Sequence, residues 1–516
     1  MTRQAALLAA LANPACYPHA VERIEVIETH ISWVILTGPY AYKVKKAVDL
    51  GFVDFTTLPL REHFCREEVR LNRRLAPDLY LDVVAITGNA DAPVIAGAGN
   101  PLEWAVKMRE FDRGSELSRL VPKGVVPSSI AEEIADRVAA FHETCERDVE
   151  IDGYGSPRAI RGPVRNNLAS LRSIADTELR ERVRRLREWT EAEHQRLIPT
   201  FDARRANGMV RECHGDLHLA NMALDAGRVL IFDCIEFNPS LRWIDVMSEV
   251  AFVEMDLRHW GRPDLARRFL NRYLERTGDY SGLAVLRYYL AYRALVRATV
   301  ASIRGAQAGV ATGDEARDVR AYLELAEQFT ERGPPALYIT HGVSGSGKTT
   351  VTSALLEAVD LIRIRSDIER KRVAGLAAEA RSESPLGGGL YTSEATKFTY
   401  TRLRDLAETV LNAGYAAVLD ATFLQRGERD ACRALALSHG VACRILACRA
   451  PPEVLGSRVA MREQNRRDAS EAGLAVLEKQ SRQPVDLSAE ELSYSLIIDT
   501  SQPVDVQSLA AALGIG

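Results

Sequence analysis

A chain of 516 residues is long enough for two to four domains with separate cores, and 47% hydrophobic with 26% charged residues excludes a disordered or fibrous class. The formal net charge of −4 excludes nucleic-acid binding by bulk electrostatics and leaves only a local basic groove. Eight cysteines without a CxxC pair offer neither a zinc site nor a redox dithiol, so they read as reduced, mostly buried thiols.

The opening stretch "MTRQAALLAALANPACYPHA" predicts a short amphipathic helix rather than a signal peptide. No uninterrupted apolar run reaches the roughly 18 residues of a membrane span, so the chain reads as cytoplasmic with no membrane partner. From Ile24 to Lys46 polar and apolar residues alternate, which predicts three short antiparallel strands. "REHFCREEVRLNRRLAP" follows a helical period, and a strand-like pair ending at "EWAVKMREF" comes next. Residues 128 to 325 are mainly helical in pattern, interrupted by "GMVREC", "NMALD" and "RVLIFDC". The outline is a small β-rich lobe followed by a large helical lobe.

His214 to Asn221, "HGDLHLAN", has the spacing H-x-D-L-x-x-x-N. That spacing lets Asp216 meet an acceptor hydroxyl while Asn221 reaches a metal bound to the nucleotide. Asp233 ends the apolar run "VLIFD" and is the natural Mg²⁺ carboxylate. Upstream, "AYK" places Lys43 on a strand to hold phosphates, with Glu68 of the following helix as its partner; Lys45 shares the strand face and Glu67 is adjacent. Met108 to Glu110 is expected to join the lobes, reading either as the adenine contact or as part of a buried strand. Asp245, Glu249 and Asp256 recur at helical spacing, and Asp245 is expected to brace the catalytic loop.

Gly, Pro and polar residues place a domain junction near Arg332 to Pro335, giving domains 1–330 and 334–516. Beyond it, strand-like runs "ALYITHG", "LIRIRS", "AAVLDATF", "CRILACR" and "SLIIDT" alternate with helical patterns, the mark of a parallel sheet with crossover helices. Gly342 to Thr349 matches G-x-x-x-x-G-K-[ST] between a strand and a helix. Backbone amides of Gly342, Ser344, Gly345, Ser346 and Gly347, with Thr350 following, would cradle phosphates, Lys348 would reach the outer ones and Thr349 would hold Mg²⁺. Asp420 reads as a Mg²⁺ carboxylate or a turn cap, and Asp367 as the acceptor's base or a helix N-cap. Arg458, Arg462 and Arg466 recur every fourth residue, either as a lid over the phosphate or as a solvated face.

"GVSGSGKTT", "RSDIERKR" and "LDATF" resemble the small ATP-dependent P-loop kinases that include polynucleotide kinase, gluconate kinase and zeta-toxin relatives, over nearly all of residues 336 to 516. "HGDLHLAN" and "IFD" resemble the aminoglycoside phosphotransferase-like branch of the protein kinase fold, over roughly residues 20 to 310, with one departure. No G-x-G-x-x-G lies between the first strands, and "ETHIS" stands where it would be. The order of the halves resembles a bacterial fusion of the two.

These resemblances imply an α+β bilobal kinase-like fold followed by an α/β P-loop fold with a five-stranded parallel sheet. They also imply ATP and Mg²⁺ as cofactors and phosphoryl transfer to a hydroxyl. A small metabolite is the first expectation for the acceptor. A nucleic-acid 5′ end for the C-terminal half, and nucleotide sensing without transfer, are the second readings.

Overall fold

A computed structural model describes residues 3–51, 53–147, 153–174, 176–307, 313–377, 380, 389–465, 473–482 and 486–514. Contacts divide the chain into two compact units, one of Met1–Ile130, Ala140–Ser170 and Ile198–Gly261, the other of Ala131–Ala139, Leu171–Leu197 and Arg262–Gly516. Among the described residues no helix is long and apolar enough to cross a membrane.

The first unit begins with β1 (Glu25–Glu28), β2 (Ser32–Leu36) and β3 (Tyr40–Lys45), the three strands expected from the alternation. After α1 (Leu58–Asn72) come β4 (Tyr80–Asn89), β5 (Ala92–Ile95) and β6 (Glu103–Arg109). The six strands form one antiparallel sheet in the order β1-β2-β3-β6-β4-β5. Because side chains alternate across a strand, Ala41, Lys43 and Lys45 share one face of β3, and Tyr42 and Val44 the other. Ala41 packs with Cys65 and Val69 of α1, whereas Tyr42 and Val44 pack with Leu7 of the N-terminal helix Arg3–Ala10 and with Leu11 just beyond it. Thr57 caps α1 and Pro59 fills its first turn; Arg61, Cys65, Glu68 and Asn72 then fall on its buried stripe at helical spacing.

The helical part of this unit carries β7 (Val210–Glu212), the hairpin of β8 (Met222–Asp225) and β9 (Arg228–Ile231), and β10 (Trp243–Asp245), which pairs with β7. α2 (Val246–His259) is buried along residues 246 to 257, including the acidic Glu249, Glu254 and Asp256. Carboxylates are rarely enclosed in this way unless partnered, so their partners carry information.

The second unit contains α3 (Pro263–Thr277) and the α/β fold made by β11 (Ala336–His341), α4 (Lys348–Ala358), β12 (Leu361–Arg365), α5 (Ser366–Val373), α6 (Ser393–Asn412), β13 (Ala416–Asp420), β14 (Ala442–Arg449), α7 (Pro452–Asn465), α8 (Leu474–Ser481) and β15 (Ser495–Asp499). Its five strands are all parallel, in the order β12-β13-β11-β14-β15. The connection leaving β11 runs to one side and that leaving β13 to the other, so a crevice opens at their C-terminal ends, where open α/β sheets bind ligands. β12 is an edge strand, and α3 closes it. Asn271 donates to the Leu361 carbonyl at 3.0 Å and accepts from the Arg363 amide at 2.8 Å, standing in for a neighbouring strand.

Candidate functional site

In the first unit, Lys43 is the centre of an ionic chain. Its Nζ lies 2.8 Å from Glu68 Oε1 and 2.6 Å from Asp233 Oδ1. Burial alone would depress its ammonium, but Asp233 and then Glu68 hold it well above the ordinary lysine value. Glu68 is fully buried and its second oxygen accepts from Lys45 Nζ at 2.7 Å, so one carboxylate serves two lysines. Glu67 turns away and pairs with Arg70. Asp233 sits at φ +68°, a costly conformation for a residue with a side chain, and Tyr80 Oη accepts its amide at 3.1 Å. Its carboxylate is 45% exposed, and hence open to a ligand.

The loop His214–Asn221 is fixed from beneath. Gly215 adopts φ +91°, and a Cβ there would lie 2.8 Å from the Leu241 carbonyl, so only glycine fits. His214 Nδ1 accepts from the Asp216 amide at 3.2 Å, which leaves Nε2–H to donate to the Phe232 carbonyl at 2.8 Å and ties the loop to the end of β9. Burial pushes this imidazole below its ordinary value, favouring the neutral ring that such a pair of bonds requires. Asn221 Nδ2 donates to the Asp216 carbonyl at 2.9 Å and carboxylate at 3.2 Å, leaving its Oδ1 as the ligand atom. Asn221 and Asp233 thus offer hard oxygen donors of the kind that suit Mg²⁺.

The brace differs from the expectation. Asp245 forms a buried bidentate pair with Arg204 at 2.6 and 2.8 Å and caps α2 through the Met247 amide. Glu249 holds the loop instead, accepting from the amides of His214 and Gly215 at 2.9 and 2.8 Å, with His142 Nε2 3.0 Å from its other oxygen. Asp256 accepts the Leu219 amide at 2.8 Å. A residue one turn further into the helix reaches the loop because Asp245 is spent on Arg204. Met108 lies in β6, opposite Ala41 and Tyr80, and the Glu110 carboxylate caps the β2–β3 turn at the Thr37 and Gly38 amides.

In the second unit the glycine-rich loop joins β11 to α4, and among the described residues no side chain caps the helix start. Its leading amides face the cradle with their partial positive charge. Gly347 adopts φ +82°, and a Cβ there would lie 2.9 Å from the Thr500 side chain. Thr500 Oγ1 donates to the Ser346 carbonyl at 3.0 Å. Lys348 folds into the loop, donating to the Val343 carbonyl at 2.8 Å and Ser346 Oγ at 3.4 Å. Burial lowers its ammonium, with Asp420 the first group to oppose this and Asp367 a lesser one. Asp420 ends β13 and lies 3.4 Å from Thr352 Oγ1, one turn beyond Thr349; Thr350 is exposed. Asp367 begins α5, beside the end of β12.

The arginine face splits. Arg462 donates to Ser344 Oγ at 2.9 Å, at the rim of the loop. Arg458 is engaged behind it, with the Gly345 carbonyl at 3.3 Å and Thr500 Oγ1 at 3.0 Å; Arg466 lies outside the described residues. The Ser344 amide is taken by Gln480 of α8 at 2.7 Å. Nothing in the sequence singled out Gln480, Thr500 or His142. Lys45 and Glu249 stood at visible spacings, but spacing alone does not tell a buried partner from a solvated face.

Residues 59–289 match the phosphotransferase enzyme family and residues 337–484 an AAA domain family. The structure thus joins a bilobal kinase-like phosphotransferase region to a P-loop kinase-like domain. Over 448 residues, 87% of this chain and 88% of theirs, it is 30% identical to the uncharacterized proteins Rv2004c of Mycobacterium tuberculosis and Mb2027c of Mycobacterium bovis. The chain belongs to the same family as these mycobacterial proteins. Among solved structures it is similar to a choline/ethanolamine kinase family protein from Mesorhizobium loti, with 12% identity, 64% of this chain and 95% of that one covered, and a TM-score of 0.40. It is similar also to a sugar kinase from Janibacter, with 21% identity, 36% and 96% coverage, and a TM-score of 0.28.

Proposed function

We propose that the chain is an ATP-dependent kinase with two phosphoryl-transfer sites, in halves 1–330 and 334–516, each acting on a hydroxyl group of a small metabolite. The observation that supports this most is the convergence of Lys43, Glu68, Asp233, Asn221 and Asp216 from four separate chain segments, together with a complete phosphate loop around Lys348. In the first site Lys43 draws the nucleotide's phosphates, and Asp216 orients and deprotonates the acceptor hydroxyl. In the second, loop amides and Lys348 take the phosphates, Asp367 meets the acceptor, and Arg462 stands closer to the transferring group than Arg458. Mg²⁺ would be held by Asp233 and Asn221 in one site and by Thr349 and Asp420 in the other, neutralising charge on the phosphates. The test is phosphorylation of a metabolite extract with labelled ATP. Asp216→Ala and Lys348→Ala are each expected to erase a different product, and loss of neither would refute the reading. Competition by an oligonucleotide would redirect the second site toward nucleic-acid 5′ ends.

For the first site one observation favours nucleotide sensing as a second reading. The β1–β2 turn is short and closed on itself, with the Thr29 amide 2.9 Å from the Ser32 carbonyl and Thr29 Oγ1 accepting the Ser32 amide. A glycine-rich cover over the phosphates has no place in it. Nucleotide binding without turnover on any hydroxyl compound would support sensing.

A further inference from the structure

We infer that Lys45 and Glu236 form a second, inner ion pair that positions Glu68, so that Lys43 is free to turn to a nucleotide without releasing α1 from the sheet. This rests on the nucleotide reading of the first site. Lys45 is fully buried, and its Nζ bonds Glu68 Oε2 at 2.7 Å and the Glu236 carboxylate, while lying 4.9 Å from the centre of the Phe55 ring. Charges therefore alternate along Asp233, Lys43, Glu68, Lys45 and Glu236, and the two ends of the series stand three residues apart on one segment.

The geometry assigns different work to the two lysines. Lys43 is 12% exposed and faces Asp233, whose carboxylate opens to solvent; Lys45 has no exposed surface. When phosphates arrive, Lys43 must divide its three N–H donors between them and Glu68. A carboxylate at zero exposure cannot lose its cation without a large desolvation penalty. With Lys43 as sole partner, Glu68 would hold that lysine back. With Lys45 permanently on its other oxygen, Glu68 stays charged and α1 stays docked. Glu236 in turn balances Lys45 and ties the pair to the segment carrying Asp233. Lys45 is thus a positioning residue that acts through Glu68 and Lys43.

The test uses the full chain carrying Lys348→Ala, which silences the second site, and calorimetric titration with Mg²⁺ and the ATP analogue AMP-PNP. Lys45→Met is expected to weaken binding at least tenfold and to lower the melting temperature, since Glu236 is left buried without a cation. Lys45→Met combined with Glu236→Gln removes both charges and is expected to regain most of the melting temperature but not the affinity. Equal affinity in that double variant and its parent would overturn the inference, reducing the pair to packing. If the Lys348→Ala parent itself binds no AMP-PNP, the nucleotide reading of the site falls, and the inference with it.

Discussion

The backbone amide of Gly215 donates to Glu249 Oε1 at 2.8 Å, so the loop His214–Asn221 hangs from a buried carboxylate of α2. The same oxygen takes the His214 amide at 2.9 Å. Glu249→Ala leaves both amides unpaired in the interior, each worth about 1–3 kcal/mol. We expect a lower melting temperature and a fall in turnover at the first site, with a smaller loss of AMP-PNP affinity because Lys43 and Asp233 sit on other segments. Glu249→Gln keeps an acceptor for the amides and is expected to be milder. Thermal melts and calorimetry on the two variants check both statements.

Asp216 is 37% exposed, and Asn221 holds its carboxylate in place. Asp216→Asn keeps the size and the acceptor oxygen but cannot take a proton. Turnover at the first site is expected to fall by about 100- to 10,000-fold with nucleotide affinity preserved. Single-turnover kinetics beside equilibrium binding separate the two effects.

The glycine-rich loop and the His214–Asn221 loop were legible in the sequence because each is a local pattern whose residues lie within eight positions of one another. Lys348 and Asp216 could be named from spacing alone. The Lys43–Glu68 pair was legible too, since a strand lysine and an acidic helix left few choices, whereas the bond from Lys43 to Asp233 was not. What escaped was whatever depends on distant segments meeting. Lys45 and Glu236 are 191 positions apart, and His142 and Glu249 107. Asp245 was assigned to the loop on spacing, but Arg204, 41 positions upstream, claims it. A buried charge is decided by the partner it meets, and periodicity does not show that partner.

Acid sensitivity should be traceable to Glu491. Burial by itself would raise its carboxyl, but Arg429, at 2.5 and 3.1 Å, and the Ser488 amide hold it at about 2 against an ordinary 4.5. A depressed carboxyl stabilises the fold in full above the unfolded value and loses that contribution as pH falls toward the folded one. The stability difference between the wild type and Glu491→Gln is therefore expected to be largest near neutral pH and to shrink between pH 4.5 and 2. Urea unfolding of both proteins at stepped pH measures it.

Asn271 pairs with both Leu361 and Arg363, so the edge of the second unit's sheet depends on a helix outside residues 334–516. A fragment starting at residue 334 bares the β12 edge and is expected to self-associate more than one starting at residue 262, which keeps Asn271 on that edge. In the full chain, Asn271→Ala leaves one carbonyl and one amide unpaired, at about 1–3 kcal/mol each. Size-exclusion chromatography of the fragments and melting of the variant test this.

The most direct test of two nucleotide-binding sites is the stoichiometry of AMP-PNP binding in the presence of Mg²⁺. Calorimetry is expected to give two equivalents per chain for the wild type, and one for each of Lys43→Met and Lys348→Ala. Binding of a single equivalent that survives either substitution, or of none, would contradict the account.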